Sequence, residues 1–230
     1  MPSLTLYHYP RACSRVTVTA MIKMGIEYKS IIIDITKDQQ NSPEYLAVNP
    51  DGKVPALLVD GEIITQNAAI LTYLHRLQPS AGLLPSTETL AQETQQLSDL
   101  IWIASTVHPM VRQIRSPKRF TSGDKKSVKA DGELKISKLL PRLEDRFKRN
   151  NWWYGEDWSI IDIYLHWCLN TAASTGLNFD DYPAVSTHLR KIEAIPEHAE
   201  AYIGCPTELG VDDDQRVVEI DLIGIDEKLK

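Results

Sequence analysis

A chain of 230 residues, 43% hydrophobic and 24% charged, has enough apolar material to bury one large core or two small ones. Its formal net charge of −6 and pI near 5.5 argue against a partner such as duplex nucleic acid, whose binders show a strongly basic face. No run approaches the ~20 apolar residues of a membrane span.

Met1-Pro2-Ser3-Leu4 lacks a basic segment leading into an apolar one, so no secretory leader is expected. Cys13, Cys168 and Cys205 lie far apart, which fits free thiols in a reducing cytoplasm better than a disulfide framework.

Leu4-Thr5-Leu6-Tyr7 reads as a strand. Ser14 to Met24 reads as a helix, with Val16, Ala20 and Met24 on one face and Gly25 as its stop. Ile31-Ile32-Ile33 is a β-branched run, expected to be a strand covered on both sides. Together they predict a right-handed βαβ unit. Asn49-Pro50-Asp51-Gly52 is a turn signal. Asp60-Gly61 predicts a hairpin between Val54–Val59 and Glu62-Ile63-Ile64. Ile70, Leu71, Leu74 and Leu77 then give helical spacing over Asn67 to Leu77.

Residues 79–88, with Pro79, Gly82 and Pro85, read as a linker between a first domain over 1–78 and a second over 89–204. The second domain reads as all-helical, with helices over Leu90–Val107, Gly132–Arg149, Ser159–Ala173 and Ala184–Ala194. Residues 115–131 are polar and basic. They read either as a solvated loop between helices or as a mobile rim for an acidic ligand. Residues 205–230 form an extension in which Val218, Ile220 and Leu222 alternate with acidic residues, as in a short strand.

Three segments carry chemistry. Proline has no N–H to give to a ladder, so Val54-Pro55 should not open a central strand, and it tolerates a cis bond. A cis bond there would turn the Val54 backbone outward to pair with an extended peptide; an ordinary trans turn is the alternative. Thr65-Gln66-Asn67 precedes a helix. Asn67 is a natural N-cap, and a helix N-terminus attracts carboxylates. Pro10-Arg11-Ala12-Cys13-Ser14-Arg15 lies between the first strand and the first helix. A cysteine at a helix N-terminus is a candidate thiolate, although by default Cys is a small core residue and Ser a cap. Val16 stands three places after Cys13, so no dithiol forms there.

The order β-α-β then β-β-α is the thioredoxin-like arrangement, a mixed four-stranded sheet. Asn49-Pro50-Asp51-Gly52-Lys53-Val54-Pro55-Ala56-Leu57, followed by Ile64-Thr65-Gln66-Asn67-Ala68-Ala69-Ile70-Leu71-Thr72-Tyr73-Leu74, resembles the glutathione-binding half of cytosolic glutathione transferases. Ser159-Ile160-Ile161-Asp162 resembles that family's capping box, in which Ser159 and Asp162 cap each other's backbone donors. Leu6 through Ser14 is most similar to the bacterial beta class, which has a cysteine at the place of Cys13. That class's tyrosine falls on His8 here. Its histidine in the second domain falls on His108, followed by Pro109 in place of lysine.

The resemblance implies an α/β thioredoxin-like domain joined to an all-α domain, and a homodimer acting on glutathione and a small hydrophobic electrophile. It implies no nucleic acid, membrane, metal or permanent cofactor. Cys13 is expected to face the glutathione sulfur, with Ser14 as the alternative donor. Val54 with Pro55 is expected to pair with the glutathione backbone. Gln66 and Asn67 are expected to hold its γ-glutamyl carboxylate, and Lys37 and Lys53 its glycyl end. His8, Trp102, His108 and Arg112 are assigned to the electrophile pocket, with plain core packing as the alternative for Trp102. Rival readings are a thiol-disulfide oxidoreductase or peroxidase using Cys13, a glutathione-dependent isomerase or dehalogenase, and a non-catalytic glutathione-binding regulatory module.

Overall fold

Strand β1, Leu4–His8, buries four of its five residues because it runs through the middle of a sheet. The computed structural model describes residues 1–201, which fall into two units. One holds Met1–Leu77 and the described residues after His198; the other holds Gln78–His198. In the first unit the sheet order is β2-β1-β3-β4. β2 is Lys29–Ile32, β3 is Ala56–Val59 and β4 is Glu62–Thr65. β2 runs parallel to β1, with Tyr7 opposite Ile31, and β3 runs antiparallel, with Leu6 opposite Leu57. The sheet is mixed, as the element order implied.

The expectation that the isoleucine run is covered on both sides does not hold. β2 is an edge strand starting two residues earlier, with Lys29 and Ser30 exposed and Ile31 and Ile32 half-buried. Ile33 is buried just past the strand, where its N–H donates to the His8 carbonyl at 2.8 Å. The hairpin lies where Asp60-Gly61 placed it. Both residues have positive φ, 49° and 99°, as a two-residue turn matched to strand twist requires.

Helix α1, Ser14–Met24, ends at Gly25 with φ 60°. A further helix, α2 at Pro43–Val48, has Ser42 as its cap, the Ser42 hydroxyl accepting from Tyr45 N–H at 3.2 Å. The Ser-Pro pair is a legible start signal. Helix α3, Asn67–Leu77, packs beside α1 and buries Ile70, Leu71 and Leu74.

In the helical unit, α4 is Leu90–Trp102, opened by a Thr89/Gln92 capping box. The rod does not stop at Val107. A π-turn at Ile103–Val107 leads into α5, His108–Arg115. Pro109 lacks the N–H that an α-helix needs, and the wider π register, with His108 N–H bonded to the Ile103 carbonyl, carries the chain across it.

Helix α6, Lys125–Arg149, begins seven residues before the sequence pattern suggested, capped by Asp124. Much of the basic 115–131 stretch is therefore helical. Gly132 is obligatory there: a Cβ would lie 2.9 Å from the Met110 carbonyl and from side chains of α5.

Helix α7, Ile160–Ala173, carries the Ser159/Asp162 capping box. Asp162 is fully buried and does more than cap. Its carboxylate accepts from the Ser159 N–H and hydroxyl, from Trp153 N–H at 2.8 Å, and from the His188 ring at 2.8 Å. Helix α8 is Pro183–Glu193 and α9 is Pro196–Glu200. No helix among the described residues is long and apolar enough to cross a membrane. The strand expected at Val218–Leu222, and Cys205, lie outside the described residues.

Candidate functional site

The turn from β1 into α1 sets the first part of the site. Ser14 is fully buried, and its hydroxyl donates to the Tyr9 carbonyl at 2.9 Å while accepting from the Tyr9 N–H at 3.1 Å. The Arg15 guanidinium donates to the Pro10 carbonyl at 2.8 Å. These bonds fold the strand end over the helix start and leave Cys13, half-exposed, at the N-cap of α1. Ser14, the alternative donor, is fully buried with its proton on the Tyr9 carbonyl, whereas Cys13 is half-exposed.

The second part is the backbone before β3. The Val54-Pro55 peptide bond is cis. The Cys13 thiol donates to the Val54 carbonyl at 3.7 Å. Just upstream, the Lys53 carbonyl accepts from the Tyr45 hydroxyl and the Asn49 amide, both at 2.6 Å. Tyr45 is itself buried among Tyr7, Ile33, Val48 and Ala56, and burial pushes its hydroxyl pKa far above the ordinary tyrosine value. Two side chains therefore fix the residue before Val54. Sequence reading found the Asn49-Pro50-Asp51-Gly52 turn but not this clamp. Gly52, at φ 57°, leaves no room for a Cβ, which would lie 2.9 Å from Asn41 Oδ1.

The third part is the joint between β4 and α3. Gln66 is exposed and has φ 71°, a left-handed conformation that costs a non-glycine residue about 1 kcal/mol or more. Strain of this kind collects at ligand sites. Asn67 is not the side-chain cap that sequence suggested. It is the first residue of α3, its Oδ1 accepts from the Thr17 hydroxyl at 2.7 Å, and its amide donates to the Cys13 carbonyl at 3.2 Å. Asn67 thus ties α3 to the start of α1.

The remaining assigned residues are spread more widely. Lys53 is exposed beside Val54. Lys37 is exposed and pairs with Asp34 at 3.7 Å. His8 points into the sheet, 7% exposed, with its Nε2 2.7 Å from the Ser30 hydroxyl and its Nδ1 buried without a partner. Burial pushes its pKa down to about 4, so it stays neutral at neutral pH. His8 is thus packed as a core residue in this chain.

Trp102, His108 and Arg112 belong to the helical unit. Trp102 stacks on Trp153 at 5.5 Å, which favours its packing role. His108 hydrogen-bonds the Tyr164 hydroxyl at 3.0 Å and meets Trp167 edge-on at 4.7 Å. Burial, with the nearby Arg112 cation, pushes its pKa down to about 4. Arg112 lies one turn beyond it on α5.

Known proteins agree with this architecture. Residues 2–76 match the glutathione S-transferase N-terminal domain and residues 103–196 the glutathione S-transferase C-terminal domain. The chain is 31% identical over 195 residues to maleylacetoacetate isomerase of Rattus norvegicus, covering 81% of this chain and 85% of that one. It is 28% identical to glutathione S-transferase GstA of Escherichia coli O157:H7, over 86% of this chain and 96% of that one. A glutathione transferase homologue from Sulfitobacter, solved with bound glutathione, superposes with a TM-score of 0.78 at 28% identity, covering 89% and 99% of the two chains. A beta-class glutathione S-transferase of Sphingomonas chungbukensis gives 0.76 at 28% identity, covering 87% and 98%. The chain belongs to the glutathione S-transferase family.

Proposed function

We propose that this chain binds glutathione along Val54, Gln66 and the first turns of α1 and α3, and joins its sulfur to a small hydrophobic electrophile. The observation that carries the reading is the meeting of Cys13 with the Val54 carbonyl: a thiol at the head of a helix lies beside the peptide group that precedes the cis proline. An extended peptide pairs with the Val54 backbone. Its γ-glutamyl carboxylate is held by the N–H groups of α3 and the Gln66 amide, and Lys53 supplies a cation for the glycyl carboxylate.

A free thiol with an ordinary pKa of about 8.5 is mostly protonated at neutral pH. A hydrogen bond from Cys13 and the partial positive charge of α1 favour the thiolate. Its sulfur then attacks the electrophilic carbon, and the leaving group departs with its electron pair. The family and the sequence support action as a homodimer in the cytoplasm.

Thiol–disulfide exchange by Cys13 is the second reading, favoured by the partial exposure of that thiol. Retention on glutathione-agarose and a thermal shift with millimolar glutathione test the binding site; absence of both overturns the proposal. Comparing aryl-halide conjugation with hydroxyethyl disulfide reduction separates the two chemistries.

A further inference from the structure

We propose that the C-terminal half of α6 forms an anion site in the helical unit, taking a small phosphoryl ligand such as a diphosphate. Arg142, Arg146, Arg149 and Asn150 line a hollow of about 440 Å³. The three arginines are spaced four and three residues apart, so they share one face of the helix.

Three of the six lysines of the same helix are paired with carboxylates. Lys129 pairs with Glu133, Lys135 with Asp131 and Lys148 with Glu144. Among the described residues, none of the three arginines has a carboxylate ion-pair partner. Asp99, the acid nearest Arg146 in its electrostatic effect, already accepts from the Trp153 indole and the Tyr154 hydroxyl.

The guanidinium groups are also held in place. Arg142 lies over the Trp102 ring at 5.0 Å, and Arg146 over the Trp153 ring at 3.8 Å. Trp102 and Trp153 stack on each other, so the four side chains form one row. Arg146 donates to the Trp153 carbonyl at 2.7 Å, while its Nε is buried without a partner. Arg149 donates to the Asp145 carbonyl at 2.9 Å.

Cations in a last helical turn commonly answer the helix dipole. That accounts for Arg149 but not for Arg142, two turns inward and stacked on an indole. The helix end carries about half a negative charge, far less than three guanidinium charges. Planar guanidinium forks match phosphate oxygens in pairs, and a polar hollow favours such a ligand over an apolar one.

The test titrates inorganic pyrophosphate into the full chain at fixed ionic strength, reading tryptophan fluorescence and heat. Saturable binding is expected in the wild type, with about tenfold weaker affinity or worse in R142Q/R149Q. Retention on glutathione-agarose is expected to be unchanged, because both arginines are exposed and lie in the helical unit. No saturable response, equal binding by the double variant, or equal displacement by acetate overturns the site. Sedimentation with phosphatidic acid vesicles separates the sources: a response to vesicles but not to pyrophosphate overturns the assignment to a soluble ligand.

Discussion

The thiol of Cys13 reaches the carbonyl of Val54 across 41 positions of sequence, at 3.7 Å. The start of one helix and the backbone before one strand thus meet directly. The helix start brings N–H groups and partial positive charge. The strand entry brings the Val54 peptide group, which we propose pairs with an extended ligand.

Replacing Cys13 tests what that thiol does. Cys13→Ala is expected to abolish hydroxyethyl disulfide reduction and to slow aryl-halide conjugation about tenfold or more, the loss of a hydrogen bond to a charged sulfur. Cys13→Ser keeps a donor and is expected to recover part of the conjugation but none of the exchange. Full conjugation by the alanine variant would remove Cys13 from the mechanism.

Ser14→Ala is expected to act on stability instead. It removes the hydroxyl that accepts from the buried Tyr9 N–H and donates to the Tyr9 carbonyl, a loss of about 1–3 kcal/mol. Urea unfolding reads the loss, while conjugation per folded molecule stays near wild type. An unchanged midpoint with lost conjugation would restore Ser14 as the sulfur's donor.

Gln66→Gly separates strain from binding. Glycine relieves the left-handed conformation at φ 71°, a gain of about 1 kcal/mol, yet removes the amide offered to the ligand. Stability is expected to rise while glutathione affinity falls. Affinity rising along with stability would take Gln66 out of the site.

Sequence made the thioredoxin-like order legible because its signals are local: Gly25 ends a helix, Asp60-Gly61 turns a hairpin, and Ser159 faces Asp162 three residues on. Val54-Pro55 was legible as a place for a cis bond, with a trans turn as the alternative, and the bond is cis. The Tyr45–Lys53 bond, the Asn67–Thr17 bond and the inward turn of Ser14 stayed hidden, because each depends on how distant segments pack. The edge position of β2 was hidden for the same reason: three isoleucines read alike whether or not a neighbouring strand covers them. The helix reads only to Val107 in sequence, because a π-turn leaves no plain mark in the pattern.

The clamp on Lys53 gives a graded prediction. Tyr45→Phe removes one of two bonds to the Lys53 carbonyl and Asn49→Ala the other. Each alone is expected to cost about 1 kcal/mol of stability and to weaken glutathione binding modestly. Together they are expected to weaken it by more than the sum, because either bond alone still orients Val54. Calorimetric titration of the double-mutant cycle measures this; strict additivity would mean that the clamp does not position the peptide group.

Acid sensitivity follows from His8 and His108, whose pKa values are both pushed down to about 4, chiefly by burial. In the unfolded chain each titrates near 6.5. Between pH 6.5 and 4 the unfolded chain binds these protons and the folded chain does not, so folding weakens as pH falls through that window and holds its full strength above it. A shift of this size is worth on the order of 3 kcal/mol for each histidine once pH reaches 4. His8→Gln keeps a polar side chain of similar reach but cannot take up a proton. The variant is expected to lose stability at neutral pH through imperfect packing, and to lose less than wild type on going from pH 7 to pH 4.5. Thermal melts across that range measure the two slopes. Parallel slopes would show that His8 is protonated in the fold, and that its burial in β1 does not govern the acid response.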